Sequence, residues 1–250
     1  LRRHLRGGNR RRRPYQAPVS YRILPRVLGQ ARRALAQAEE VARVSLRAVS
    51  DNPVWIGPSR RYPKGAALSN GGYHNAKAYP AIDNLAACWA DLAVVADRHT
   101  VKLHREDLSL LGPLTMSGKP GYTTHMLRMV QVAYHEEAKH AAARTFLPGS
   151  GDFGQNDVTL PTFTAWNRER RAAEAFTAAL ALLAASCVQA LVTTGRKAPS
   201  GLKAFYAPIE ERFPVQNERR PRRMGEDVDK LRRLFGGMVA TGDFEGAIGR

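Results

Sequence analysis

An all-α protein built as a bundle of long helices is what the sequence predicts, on three observations. Apolar residues recur at three- and four-residue steps over long windows. Runs of alternating Val, Ile and Thr between turn residues are nearly absent. Pro- and Gly-rich connections separate the long periodic stretches. The 250 residues, 44% hydrophobic, suffice for one large core or two small domains.

In chain order, residues 1–14 form a basic arm, with Arg2, Arg3, Arg6 and Arg10 to Arg13 and no apolar period; it reads as disordered. Residues 15–24 read as loop, and Pro25 opens a first helix. That helix carries Leu28, Ala31, Leu35, Ala38, Ala42, Leu46 and Val49 on one stripe, and the Ser50-Asp51-Asn52-Pro53 turn stops it. A second helix spans about 75–104, with Ile82, Leu85, Trp89, Leu92, Val95 and His99 on one side; Pro80 is tolerated only near its first turn. After a Gly/Pro-rich connection at 108–122, a third helix over about 123–146 turns Met126, Met129, Val130, Ala133 and Ala141 inward. A second loop, PGSGDFGQNDVTLP at 148–161, leads into a fourth helix over about 163–193 that ends near Gly195. Three segments result: the arm at 1–14, the helical bundle at 15–195, and an irregular region at 196–250 with one short helix over 226–235.

Composition narrows the function classes. Cys88 and Cys187 both lie in Ala/Leu-rich helical stretches, so they read as small buried apolar residues; no disulfide framework or metal set is implied, which fits a reducing cytoplasm. The formal net charge of +17 raises the question of nucleic acid. No zinc spacing, helix-turn-helix or aromatic-interleaved basic strand accompanies it, which argues against specific nucleic-acid recognition. An arginine-rich composition, or pairing with an acidic subunit, explains the charge as well. The amino terminus lacks the apolar stretch of a signal peptide. Residues 172–192 are apolar enough to test as a membrane span, yet they hold Glu174 and Gln189 and are rich in alanine, so a buried bundle helix is the better reading. His135 and His140 do not have the H-E-x-x-H spacing; five residues on a helix turn a side chain about 140 degrees away, and a solvated or intersubunit face is expected there.

The most informative stretch is 48–87. It reads AVSDNP, then SNGGYHNAKAYPAIDNLAA, and it places an aromatic and an imidazole directly after two glycines at the mouth of a helix. The order of AVSDNP, S-x-G-G-x-x-H, a proline in the first turns of a helix and IDNLA resembles the histidine/phenylalanine ammonia-lyase superfamily. The resemblance runs from Gln16 to Leu191 and covers the C-terminal half of that family's pattern. It implies a long-helix bundle of the aromatic amino acid lyase type, oligomeric, with each active site assembled from several subunits.

Residue by residue, the resemblance names a substrate-binding set. QAPVSYR at 16–22 matches the family segment Q-D-x-Y-S-x-R, which puts Gln16 on its glutamine and Arg22 on its substrate-carboxylate arginine. Guanidinium suits that role, since its planar fork matches a carboxylate; the competing reading is a surface arginine. Tyr73 stands where the family has a substrate-facing aromatic, against a structural tyrosine, and His74 matches the histidine-specific branch. Gln155-Asn156-Asp157-Val158 resembles the family's N-Q-D-V loop, with Asn156 on the amine side of the pocket; a plain Gly/Asn/Asp turn is the alternative. Two departures stand out. The family's tyrosine falls on Val19, which donates no proton, and Asn156 cannot serve as a general base.

Catalytic residues are not assigned. In the family the electrophile is a methylidene-imidazolone formed from Ala-Ser-Gly, and this sequence contains no such triplet. That cofactor therefore comes only from a partner chain, one resembling the family's N-terminal half. Three readings remain open. The chain is a subunit of a split ammonia-lyase or aminomutase that binds a small carboxylate-bearing substrate in a hetero-oligomer; or it is an electrophile-free, repurposed enzyme on the same fold; or it is a non-catalytic basic interaction protein.

Overall fold

The structure, a computed structural model, describes residues 16–105, 125–149, 154–215 and 223–241. The basic arm and the 108–122 connection lie outside the described residues. In order come α1 (Val19–Arg22), α2 (Leu24–Ser45), β1 (Val54–Ile56), β2 (Ala66–Leu68), α3 (Ala78–Leu103), α4 (His125–Ala141) and α5 (Thr162–Thr193). A 3-10 turn (Ser200–Leu202), α6 (Lys203–Arg212) and α7 (Met224–Thr241) complete it. The strands pair antiparallel in a small hairpin, with Trp55 opposite Ala67.

Helices α3 and α5 form the axis, and α2 and α4 pack on them. Their shared seam is alanine: Ala90, Ala93 and Ala96 of α3, Ala138 of α4, and Ala175 and Ala179 of α5 are all buried. Small residues let helix axes approach to the short end of the usual 8–10 Å separation. At the far end of α5, Leu182, Val188, Ile209, Phe213, Leu231 and Phe235 join α5, α6 and α7 in a second core. Helix α5 ends as its sequence predicts: Gly195 takes φ +62°, Gly195 N–H donates to Val192 O at 3.2 Å, and Arg196 N–H donates to Leu191 O at 3.0 Å. By length and composition this helix is long and apolar enough to cross a membrane, but its apolar stretch is largely buried inside the bundle.

Polar contacts set the register of α2 against α3. Tyr21 stacks on His99 (centroids 4.1 Å apart, planes 8° from parallel), Asn84 Nδ2 donates to Gln37 Oε1 at 3.3 Å, and Asn75 Nδ2 donates to Ser45 Oγ at 2.8 Å. As the residue number falls along α2 it rises along α3, so the two helices are antiparallel along their whole lengths.

Five expectations are corrected. The 15–24 loop contains the one-turn helix α1, whose Tyr21 and Arg22 amides donate to Pro18 O; it is held by the Tyr21–His99 stack, a tertiary contact that periodicity does not carry. On α4 the inward residues are Leu127, Gln131, His135, Ala138 and Ala141, while Met126, Met129 and Val130 are about half exposed. Both faces of α4 are apolar, so the period alone does not say which one packs within the chain. His135 is correspondingly buried, with Nδ1 3.6 Å from Asp97 Oδ2, rather than solvated. On α2 only Ala31 and Ala34 are buried, and Leu28, Leu35 and Leu46 stay exposed. Finally, the C-terminal region is more helical than its prolines imply: α6 accommodates Pro208, and α7 runs 18 residues where a ten-residue helix was expected.

Candidate active site

Hydrogen bonds from asparagines shape the loop between α2 and α3. Asn52 Oδ1 accepts from Ser69 Oγ (3.1 Å) and from the Asn70 amide (2.9 Å), clasping the two ends of the hairpin. Asn70 Nδ2 donates to Asp51 O at 2.8 Å, and its Oδ1 accepts from the Gly72 amide at 2.7 Å, an Asx turn. Gly72 is required by closeness: a Cβ there would lie 2.1 Å from Val49 O. The clasp leaves Tyr73 about half exposed, its ring edge-on to His74 with centroids 6.3 Å apart.

His74 reaches the second loop. Its Nε2 lies 3.3 Å from Thr159 O; a carbonyl only accepts, so the ring proton of this bond is on Nε2. Thr159 N–H in turn donates to Pro148 O at 2.9 Å, and Gly149 bridges Val158, which closes the base of the loop carrying the exposed Asn156. Buried Asp83 braces the same end of the bundle, accepting from the Thr145 amide (2.7 Å) and Thr145 Oγ1 (2.9 Å). Tyr73, His74 and the Asn156 loop are therefore neighbours at one end.

Arg22 and Gln16 are at the other end. Arg22 is exposed; its Nε donates to Ala17 O at 3.0 Å, folding the 16–22 segment on itself so that the arginine returns to the residue after Gln16. Among the described residues its Nη groups have no protein partner, which leaves that side of the fork free for a carboxylate. The full 22 residues of α2 separate Arg22 from the Tyr73–His74 loop, about 33 Å at 1.5 Å per residue. No small substrate touches both in one copy.

Sequence reasoning missed His99 as a site residue. It stacks on Tyr21, and burial pushes its basicity below the usual imidazole value of 6.5. Its place on the inward stripe of α3 was the available signal, but a stripe position cannot show what the ring meets. Val19, at the register of the family's tyrosine, is 57% exposed, and Tyr21 is committed to His99.

Other reactive groups are unsuited to chemistry. Burial pushes the Cys187 thiol up to about 11 and raises that of Cys88, so neither is a thiolate at neutral pH. Among the described residues no three His, Cys, Asp or Glu side chains are grouped to hold a metal. The sequence contains no Ala-Ser-Gly triplet; Ala185-Ser186 continues to Cys187 and lies in the middle of α5, where Ser186 Oγ donates to Leu182 O.

Residues 1–211 match the family profile described as aromatic amino acid lyase. The chain belongs to the aromatic amino acid lyase family. Among curated members of this family, histidine ammonia-lyase of Shewanella woodyi is 29% identical over 218 residues, covering 86% of this chain and 41% of that protein. Histidine ammonia-lyase of Geobacillus kaustophilus is 30% identical over 177 residues, 66% of this chain and 33% of the relative. Solved lyase-family structures share the fold: histidine ammonia-lyase of Trypanosoma cruzi superposes with a TM-score of 0.81 at 17% identity, over 94% of this chain and 46% of that one. Tyrosine aminomutase of Streptomyces globisporus gives 0.75 at 23% identity, over 99% and 47%. The chain thus spans less than half the length of the family members it matches.

Proposed function

We propose that this chain is the C-terminal-half subunit of an aromatic amino acid ammonia-lyase or aminomutase-like enzyme, acting in a hetero-oligomer with a partner chain that carries the N-terminal half. One observation carries the reading: Arg22 and the Tyr73–His74 loop lie at opposite ends of α2. Groups about 30 Å apart meet around one small substrate only when different copies contribute them. In this arrangement Arg22, with Gln16 beside it, anchors the substrate carboxylate from one copy. Tyr73 supplies a planar wall from another, with His74 and the Asn156 loop lining the polar side. The partner supplies the reacting centre, since binding groups alone do not break a C–N bond.

Complementation tests this. Arg22→Ala and His74→Ala variants are each co-expressed with the partner half, then mixed as one hetero-oligomer and assayed for cinnamate- or urocanate-type product. Shared sites restore part of the activity in the mixed assembly, because some sites draw both residues from intact copies. Mixed assemblies as inactive as the single variants would remove the proposal.

A second reading rests on Val19 and Asn156, which replace a phenol and an acid with groups that transfer no proton. It is an electrophile-free enzyme on the same scaffold. The near-ultraviolet absorbance of the imidazolone in the purified complex separates the two: present for the first, absent for the second.

A further inference from the structure

We propose that the tip of the β1–β2 hairpin, residues 57–65, is a docking point for an acidic segment of a partner protein. Between Asp51 and Asp83 the sequence has no acidic residue, while Arg60, Arg61, Lys64 and Lys77 are basic. Three of these cations crowd the tip. Ser59 N–H donates to Tyr62 O at 2.8 Å and Tyr62 N–H to Ser59 Oγ at 3.0 Å, a tight turn with Arg60 and Arg61 at its two central positions. Gly65, at φ +78°, returns its amide to Tyr62 O at 2.9 Å and sets Lys64 beside them. All three cations are exposed, and among the described residues none is paired with a carboxylate.

Like charges held next to each other repel, and among the described residues no carboxylate offsets them. The stem is ordered by packing: the Trp55 ring lies so close over Gly65 that a Cβ there would be 2.4 Å away, and Arg61 sits 5.5 Å from the Tyr62 ring centroid. Trp55 remains 65% exposed beside the cations, an apolar contact at the rim of the charged tip. Guanidinium forks suit carboxylates bidentately. A track along nucleic acid needs a longer basic surface than strands of three residues provide. The occupant is therefore a short acidic protein segment. The hairpin leaves from the Asn52–Asn70 clasp that also sets Tyr73, so docking here brings the partner to that end of the bundle. This inference does not rest on the lyase reading.

The test uses the full chain, a labelled oligoglutamate peptide and a duplex DNA oligonucleotide, with anisotropy measured across a salt series. Arg60→Gln/Arg61→Gln/Lys64→Gln is compared with Arg26→Gln/Arg32→Gln/Arg33→Gln, which removes equal charge from exposed positions on α2. The expected result is about a tenfold loss of peptide affinity and a shallower salt slope for the hairpin variant, and less than about twofold loss for the α2 variant. Trp55 emission, isolated by difference against Trp55→Phe, shifts on peptide binding. Equal losses in both variants, loss confined to the DNA, or no peptide binding by the unaltered chain would each overturn the proposal. Circular dichroism verifies that both variants keep their helices; Arg61→Gln alone, which preserves the turn's hydrogen bonds, repeats the comparison if the triple variant does not.

Discussion

His99 illustrates how a single half-buried ring holds a candidate binding segment. The four-residue helix α1 has little helical stability of its own; one turn does not repay the cost of nucleation. The Tyr21–His99 stack keeps it, and hence Arg22, against α3. Burial lowers the imidazole's basicity in the folded chain, so the unfolded chain binds the proton more tightly. Stability from this group is therefore complete above the unfolded value near 6.5 and is lost as pH falls below it through the folded value. Replacing His99 with Phe retains a stacking surface and removes the titration. A urea midpoint series across that window should fall less steeply on the acid side for His99→Phe than for the unaltered chain; parallel curves would contradict the assignment. Gly72 gives a steric counterpart. Gly72→Ala forces the loop away from Val49 O and should cost about 1–3 kcal/mol by denaturant unfolding. Gly72 of the Gly-Gly pair was legible because only a missing Cβ allows such an approach. His99 was not, because nothing local marks the ring that stacks on it.

Helices were readable where one face alone is apolar and ambiguous where two are. The inward stripe of α3, from Leu85 through Leu92 to Val95, is buried as its spacing implies, and α5 ends at its glycine. On α4, by contrast, methionines and leucine compete for the inside, and the alanine seam decides. Ala138 is wholly buried against Ala93 and Ala179, a fit that larger side chains at the helix crossing would prevent. Hydrophobicity scales rank Met above Ala, so a periodic reading selects the wrong face. The seam itself is testable. Ala179→Leu inserts three carbons where α3, α4 and α5 meet without space, and overpacking of this kind costs about 1–3 kcal/mol. Urea unfolding should show that loss, whereas Ala133→Leu on the exposed side of α4 should change stability by less than about 0.5 kcal/mol. A tolerated Ala179→Leu would mean the helices are not packed as closely as the alanines imply.

The faces that α4 and α5 do not bury inside the chain shape the behaviour of the whole molecule. Met126, Met129, Val130 and Val132 of α4, and Phe163 and Trp166 at the start of α5, are each between 44% and 79% exposed, and Leu28 and Leu35 of α2 are exposed as well. Scattered singly such residues are ordinary, but a row of them along one helix, as on α4, is of the kind that marks an interface. The sequence contained these rows without revealing their direction, because an interface seam and a core stripe share the same helical period. In the proposed hetero-oligomer these rows are buried across a chain boundary, which would bring Arg22 of one copy to the Tyr73–His74 loop of another. Met129→Glu puts a charge in the middle of the α4 row and touches neither the alanine seam nor any candidate binding residue. In sedimentation velocity the unaltered chain, alone or with its partner half, should run as an oligomer that Met129→Glu shifts toward single chains by about tenfold or more in dissociation constant. Helical circular dichroism should stay unchanged, because the side chain is exposed within its own copy. A chain that sediments as a monomer at every concentration, with and without that half, would leave the exposed rows unexplained and Arg22 facing solvent alone.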